Sequence, residues 1–104
     1  MIKVTSYEQL KKLLISDDVV LVYCSADSCS VCRADMPVIE KIANEFNIPM
    51  VWVEIDKAME ISGQLSVFSV PAVLLFYRQK EYHRQAHFID FYELKKRVSE
   101  IIQT

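Results

Sequence analysis

Glycine, proline and cysteine are scarce in this chain of 104 residues, which holds one glycine, three prolines and three cysteines. A single glycine excludes a glycine-rich phosphate-binding loop, and so few glycines and prolines exclude a long flexible linker. Three cysteines are too few for a disulfide scaffold, and their odd number leaves at least one unpaired. We therefore expect a single domain over residues 1–104 that is held together by an apolar core.

Net charge is small as well, because 12 basic residues against 14 acidic ones give a formal charge of −2. The basic footprint that nucleic acids or anionic membranes require is missing, so neither is an expected partner. The longest apolar runs, such as residues 70–77, are far shorter than a membrane span. The first residues lack the pattern of a secretory signal. We accordingly expect a cytoplasmic protein and, since heptads are missing, a monomer.

Apolar patterning predicts that strands and helices alternate along the chain. Strands are predicted at residues 2–4, 19–24, 50–55, 72–77 and 81–88. Helices are predicted after Ser6, over residues 29–46 and 58–65, and after Asp90. The run 19–24 shows no alternation, which is typical of a strand buried on both faces. The predicted fold class is α/β, with a central mixed sheet of four to five strands flanked by helices on both faces.

Two of the predicted helices begin with a capping signal. Ser6 is followed three residues later by Gln9, and Asp90 is followed at the same spacing by Glu93. In a capping box the first side chain accepts from the amide of the second residue, and the second side chain reaches back to the amide of the first. We expect a box at both helix starts.

The residues that point to chemistry are Cys29 and Cys32, in the sequence S-C-S-V-C-R at 28–33. Cys29 falls where a buried strand gives way to a helix, and a helix N-terminus carries partial positive charge and free amide donors. A thiol there is expected to ionise below its usual pKa of about 8.5, and the thiolate is the reactive form. Residues three apart face one another on a helix, so Cys32 can close a disulfide with Cys29. This arrangement predicts thiol–disulfide exchange.

Other interpretations of these cysteines remain open at this point. The pair can be half of a zinc site whose further ligands would come from Cys24, His83 or His87. The spacing from Cys24 to Cys32 also mimics a plant-type iron–sulfur loop, although no fourth cysteine exists to complete it. Because Cys24 lies in an apolar strand, we interpret it as a small buried hydrophobic residue. Neither a metal nor a cofactor is predicted.

The chain resembles thioredoxin-like proteins over nearly its whole length. The resemblance rests on the strand 19–24, the Cys29–Cys32 helix start, Pro37 inside that helix, Val70-Pro71 before the strand 72–77, and the closing hairpin and helix. It implies a thioredoxin-like fold and a thiol–disulfide oxidoreductase activity.

The resemblance also implies roles for individual residues. Cys29 would be the attacking thiol and Cys32 the resolving thiol. Pro71 would follow a cis peptide bond and lie against the pair, and Val70 would offer its backbone to an extended substrate. Substrates would be protein or small-molecule disulfides, and electrons would come from a flavoprotein reductase or a low-molecular-weight thiol.

The chain departs from the family pattern around the cysteine pair. Ser28 stands where thioredoxins carry tryptophan, and Ser30-Val31 stand where they carry glycine and proline. The family glycine near the final turn is also missing, since residues 86–89 read A-H-F-I. We expect a bulkier substrate groove there, which argues against efficient use of a standard thioredoxin reductase.

A further departure concerns the proton of the second thiol. Family members keep a buried aspartate beneath the pair as its acceptor, and Tyr23 occupies that position here, with Trp52 in place of the lysine that accompanies it. Asp27 is the nearest loop carboxylate, and we interpret it as a solvated charge. These losses leave a rival hypothesis, a thioredoxin-fold binding or adaptor module without redox activity.

Overall fold

The computed structural model describes residues 1–102, in which a five-stranded sheet lies between two pairs of helices. The strands are β1 (Ile2–Lys3), β2 (Val19–Ser25), β3 (Met50–Glu54), β4 (Ala72–Tyr77) and β5 (Lys80–Ala86). The helices are α1 (Tyr7–Ser16), α2 (Ser30–Glu45), α3 (Met59–Leu65) and α4 (Phe91–Ile101). The predicted α/β class, mixed sheet and order of elements are confirmed.

Strand order in the sheet places β2 at its centre. The order is β1-β3-β2-β4-β5. The first three of these strands run parallel, because α1 and α2 carry the chain back across the sheet between them. Strand β4 runs antiparallel to β2, and β5 runs antiparallel to β4. The C-terminal end of β2, where the cysteine loop begins, therefore meets the N-terminal end of β4.

Side chains of β2 contribute to a separate apolar core on each face of the sheet. Val20, Val22 and Cys24 pack into the core that includes the buried residues of α1 and α3. Leu21 and Tyr23 pack into the core that includes those of α2 and α4. All seven residues of β2 are buried, which explains why its sequence shows no alternation. Within residues 1–102, no helix combines the length and the apolar character needed to cross a membrane.

The residues that adopt a left-handed backbone conformation are not glycines. The only glycine of the sequence, Gly63, lies within α3, whereas five non-glycine residues among residues 1–102 have positive φ: Asn47, Ser66, Arg78, Gln79 and His87. Arg78 and Gln79 take φ values of 50° and 71° in succession and form the two-residue connection of the β4–β5 hairpin, as in a type I′ turn. The strand predicted over residues 81–88 begins one residue earlier and ends two residues earlier than expected, since β5 spans Lys80–Ala86.

Both predicted helix caps form, but the capping boxes do not close as predicted. Ser6 Oγ accepts from the Gln9 amide at 3.2 Å, and Asp90 Oδ1 accepts from the Glu93 amide at 3.0 Å. The Gln9 side chain accepts from the amide of Thr5 at 3.3 Å, not from that of Ser6. At α1 the returning hydrogen bond therefore involves the amide one residue before the N-cap. At α4 only the hydrogen bond accepted by the Asp90 side chain forms.

Candidate active site

The cysteine pair lies at the start of α2, directly after the central strand. Cys29 is the N-cap residue of the helix, with extended backbone, and it forms a disulfide with Cys32 across a Cα–Cα distance of 5.2 Å. The amide of Cys32 donates to Cys29 Sγ at 3.1 Å. When the disulfide opens, this donor and the positive end of the helix stabilise negative charge on the Cys29 sulfur.

The two cysteines differ sharply in their access to solvent. Cys29 is half-buried, whereas Cys32 is 1 % exposed. Cys29 is therefore the more accessible of the two to a molecule in solution.

Tyr23 lies beneath the pair and holds the first turn of α2 against the sheet. Its hydroxyl donates to the Cys32 carbonyl oxygen at 2.8 Å, and its side chain is fully buried. Burial raises the pKa of Tyr23, and the charge of Asp35 raises it further. A phenol in this state does not accept a proton at neutral pH, so Tyr23 supports the helix but does not replace the family's aspartate. Trp52 lies beside Tyr23 in the parallel register of β2 and β3.

Val70 and Pro71 lie at the same end of the sheet as the pair. The peptide bond between them is cis, as the resemblance implies. Pro71 is buried, and the next residue, Ala72, pairs with Cys24 near the end of β2. The carbonyl oxygen of Pro71 accepts from the His87 amide at 2.8 Å.

An open cavity of about 340 Å³ lies beside Cys32. Met36, Pro37 and Trp52 are among the residues that line it. The Trp52 Nε1–H donates to Ser25 Oγ at 2.7 Å, so the polar edge of the indole is satisfied. Glu54, at the end of β3, lines the same cavity as Cys32.

Glu54 is the one buried charged residue described in the chain, and sequence reasoning missed it. Its side chain is 8 % exposed, with Lys3 Nζ at 2.6 Å from Oε1 and Lys57 Nζ at 3.6 Å from Oε2. Lys57 also pairs with the exposed Asp27 at 3.0 Å. The hydrogen bond from Lys57 lowers the pKa of Asp27. A lone charge at the end of an apolar strand was the available signal.

Cys24 and His83 take no part in the cysteine site. Cys24 is fully buried, and burial raises the pKa of its thiol to about 12, which confirms its interpretation as a small hydrophobic residue. His83 lies within β5, 3.0 Å from the Gln85 side-chain nitrogen. Across residues 1–102, no group of three or more histidine, cysteine, aspartate or glutamate side chains could hold a metal ion.

Comparison with known proteins settles the family. The family model described as Thioredoxin matches residues 1–100. The chain belongs to the thioredoxin family. It is 32 % identical to the thioredoxin of Chlamydia trachomatis over 100 residues, covering 95 % of this chain and 97 % of that one. It is 33 % identical to the thioredoxin-like protein YdfQ of Bacillus subtilis over 81 residues, covering 77 % of this chain and 72 % of that one.

Solved structures agree with this assignment. A thioredoxin mutant from Entamoeba histolytica matches with a TM-score of 0.84 and 29 % identity, over 96 % of this chain and 98 % of that one. A thioredoxin mutant from Halobacterium salinarum matches in fold with a TM-score of 0.91 at 22 % identity, over 99 % of this chain and 91 % of that one. Family and cysteine pair together make the protein a thiol–disulfide oxidoreductase, in a family that generally acts on disulfides with a reductase partner.

His87 stands in the region where the family glycine is missing, and its backbone adopts φ 69°. A non-glycine residue in this conformation costs about 1 kcal/mol or more. We expect His87→Gly to raise the free energy of unfolding by up to about 1 kcal/mol, since glycine adopts positive φ without strain. Urea denaturation of the oxidised protein measures this change.

Ala86→Gly is the matched control for this prediction. Ala86 is the last residue of β5 and does not have positive φ. Glycine there should lower the free energy of unfolding by about 0.5–1 kcal/mol, because only chain flexibility is gained. Equal destabilisation by both variants would show that the His87 backbone is not strained.

Proposed function

We propose that Cys29 is the attacking thiol of this oxidoreductase and Cys32 the resolving thiol. The observation that carries the assignment is the hydrogen bond from the Cys32 amide to Cys29 Sγ, at 3.1 Å. This hydrogen bond is donated to the Cys29 sulfur, so it stabilises negative charge on that sulfur. The difference in exposure supports the same order, because only Cys29 is accessible to a bulky substrate.

The reaction proceeds by two displacements. The Cys29 thiolate attacks one sulfur of the substrate disulfide, a mixed disulfide forms, and the other substrate sulfur leaves as a thiolate. Cys32 then attacks Cys29 Sγ, which restores the Cys29–Cys32 disulfide and releases the second substrate thiolate. The substrate disulfide gains two electrons and the cysteine pair loses them. A reductase or a low-molecular-weight thiol returns the electrons to the pair.

Val70 and Pro71 form the substrate-binding element in this proposal. Val70 lies two residues before the start of β4 and outside the pairing of that strand with its neighbours. Its backbone is therefore suited to pair with an extended segment of a protein substrate, as an added strand would. Pro71 lacks an amide hydrogen, so it ends the pairing at this point.

We also propose a monomer that acts in the cytoplasm as a single domain over residues 1–104. Both protein and small-molecule disulfides are proposed substrates. The unpaired, buried Cys24 fits a compartment in which thiols remain reduced. The small net charge and the lack of heptads favour the monomer.

Cys32→Ser tests the order of attack. Because Cys29 still attacks but nothing resolves the product, the variant should accumulate mixed disulfides through Cys29. Mass spectrometry of the variant mixed with oxidised insulin, followed by peptide mapping, should locate the substrate on Cys29. If Cys29→Ser accumulated mixed disulfides and Cys32→Ser did not, the roles of the two cysteines would be the reverse of those proposed.

A further inference from the structure

The resolving step needs an acceptor for the Cys32 proton, and the position used by the family does not supply one. Cys32 is 1 % exposed, and a buried thiol ionises reluctantly. Tyr23 donates its own hydroxyl hydrogen to the Cys32 carbonyl oxygen. An acceptor must therefore approach Cys32 from another side.

The cavity beside Cys32 offers two carboxylates, Glu54 and Asp27. Its volume of about 340 Å³ leaves room for several water molecules between the walls. The Asp27 side chain is 61 % exposed, so bulk water solvates its carboxylate. The Glu54 side chain is 8 % exposed, so its carboxylate is largely withheld from bulk water.

Oε1 of Glu54 is buried and forms no hydrogen bond of standard geometry among the described residues. Lys3 Nζ lies 2.6 Å from Oε1 as an ion pair, so the charge of the carboxylate is balanced. A water molecule in the cavity can supply a hydrogen bond to this oxygen. The charged groups around Glu54 are Lys3 from β1, Lys57 from the segment after β3, and Asp27 from the cysteine loop. Arg33 of α2 also lines the cavity.

We propose that Glu54 accepts the Cys32 proton during resolution, through water in this cavity, and so takes over the task of the family's aspartate from a different strand. The Cys32 proton passes to the carboxylate as Cys32 Sγ attacks Cys29 Sγ. The Cys29–Cys32 disulfide forms, and the bond from Cys29 to the substrate sulfur breaks. The departing substrate thiolate then takes up the proton from Glu54 through solvent. This step depends on the proposed role of Cys32.

Glu54→Gln tests the proposal in a two-phase reaction. Reduced protein is mixed in a stopped-flow instrument with an aromatic disulfide that releases a coloured thiolate, a dithiobis-nitrobenzoate. The first phase reports attack by Cys29 and the second reports release by Cys32. General bases contribute a hundredfold or more, but water is a partial substitute, so we expect a second phase about tenfold slower at pH 7. The first phase should stay within twofold of wild type.

The pH dependence separates proton transfer from a structural effect. The slowing of the second phase in Glu54→Gln should become smaller as pH rises toward 9, because hydroxide then removes the Cys32 proton. Glu54→Asp, which keeps a carboxylate, should recover part of the rate. Asp27→Asn leaves Glu54 in place while removing the other carboxylate beside Lys57, so its second phase should match wild type within twofold.

Several outcomes would overturn the proposal. They are a second phase in Glu54→Gln that is as fast as in wild type at every pH, a slowing of that phase that does not change with pH, and a slowing found in Asp27→Asn alone. If Glu54→Gln does not fold, Glu54→Asp carries the test, since its shorter side chain should slow the second phase at pH 7 but not at pH 9. A wild-type protein with no second phase would instead refute the role of Cys32.

Discussion

Cys29→Ser is expected to abolish turnover, leaving the rate of insulin reduction by dithiothreitol equal to that of dithiothreitol alone. A serine hydroxyl forms no disulfide, so no mixed disulfide with substrate can arise at position 29. Cys32 cannot compensate because it is 1 % exposed and its amide faces the Cys29 sulfur. The turbidity of reduced insulin chains, followed over time, measures the loss.

Cys24→Ala is the matched control for that experiment. It also removes one thiol, but Cys24 is fully buried in the core on the α1 and α3 side of the sheet. Its thiol has a pKa raised to about 12 by burial, so it supplies no thiolate at neutral pH. We expect Cys24→Ala to keep at least half of the wild-type turnover. If Cys29→Ser retained as much, exchange would not proceed through the proposed nucleophile.

The position of Cys29 could be predicted from sequence because its causes are local. An unalternating apolar run marks a strand buried on both faces, and a loop of polar residues ends it. The cysteine spacing then fits the first turn of a helix. The structure confirms β2 (Val19–Ser25) and α2 (Ser30–Glu45), with Cys29 as N-cap residue, to within one residue of the predicted bounds.

The exact partners of capping side chains could not be predicted, because several acceptors and donors compete within one turn. Glu93 was expected to reach back to the amide of Asp90. It pairs instead with Arg97 at 2.8 Å, one helical turn along α4. The Asp90 amide donates to the Gln85 side-chain oxygen, which arrives from β5 at 2.6 Å. A hydrogen bond between β5 and the start of α4 thus takes the place of the expected bond within the first turn of α4.

Glu54 was missed for a related reason. Its place beside the cysteines follows from strand register, since Ser25 of β2 pairs with Glu54 of β3 in the parallel sheet. That pairing brings the end of β3 to the same edge as the loop that carries Cys29. The sequence shows only a charged residue after an apolar run, and Asp27 lies nearer to Cys29 along the chain. Asp27 was therefore the carboxylate considered from sequence, and it was interpreted as a solvated charge, whereas the carboxylate buried at this edge of the sheet is that of Glu54.

Replacing Tyr23 is expected to lower the stability of the protein strongly. Its ring is fully buried in the core shared with α2 and α4, and its hydroxyl reaches the Cys32 carbonyl oxygen. Tyr23→Ala removes the ring and the hydrogen bond together. We expect the free energy of unfolding to fall by about 3–5 kcal/mol, the usual cost of deleting a buried aromatic ring. Tyr23→Phe keeps the ring and should cost only about 1 kcal/mol.

Urea denaturation of the reduced proteins measures both variants without a contribution from the disulfide. The comparison divides the role of Tyr23 between packing and hydrogen bonding. If Tyr23→Phe were as damaging as Tyr23→Ala, the bond to Cys32 would dominate and the ring would add little. Tyr23→Phe should also retain exchange activity, because the raised pKa of Tyr23 already excludes the phenol as a proton acceptor. A loss of resolution in Tyr23→Phe would show that the hydroxyl participates in proton transfer, against the assignment of that task to Glu54.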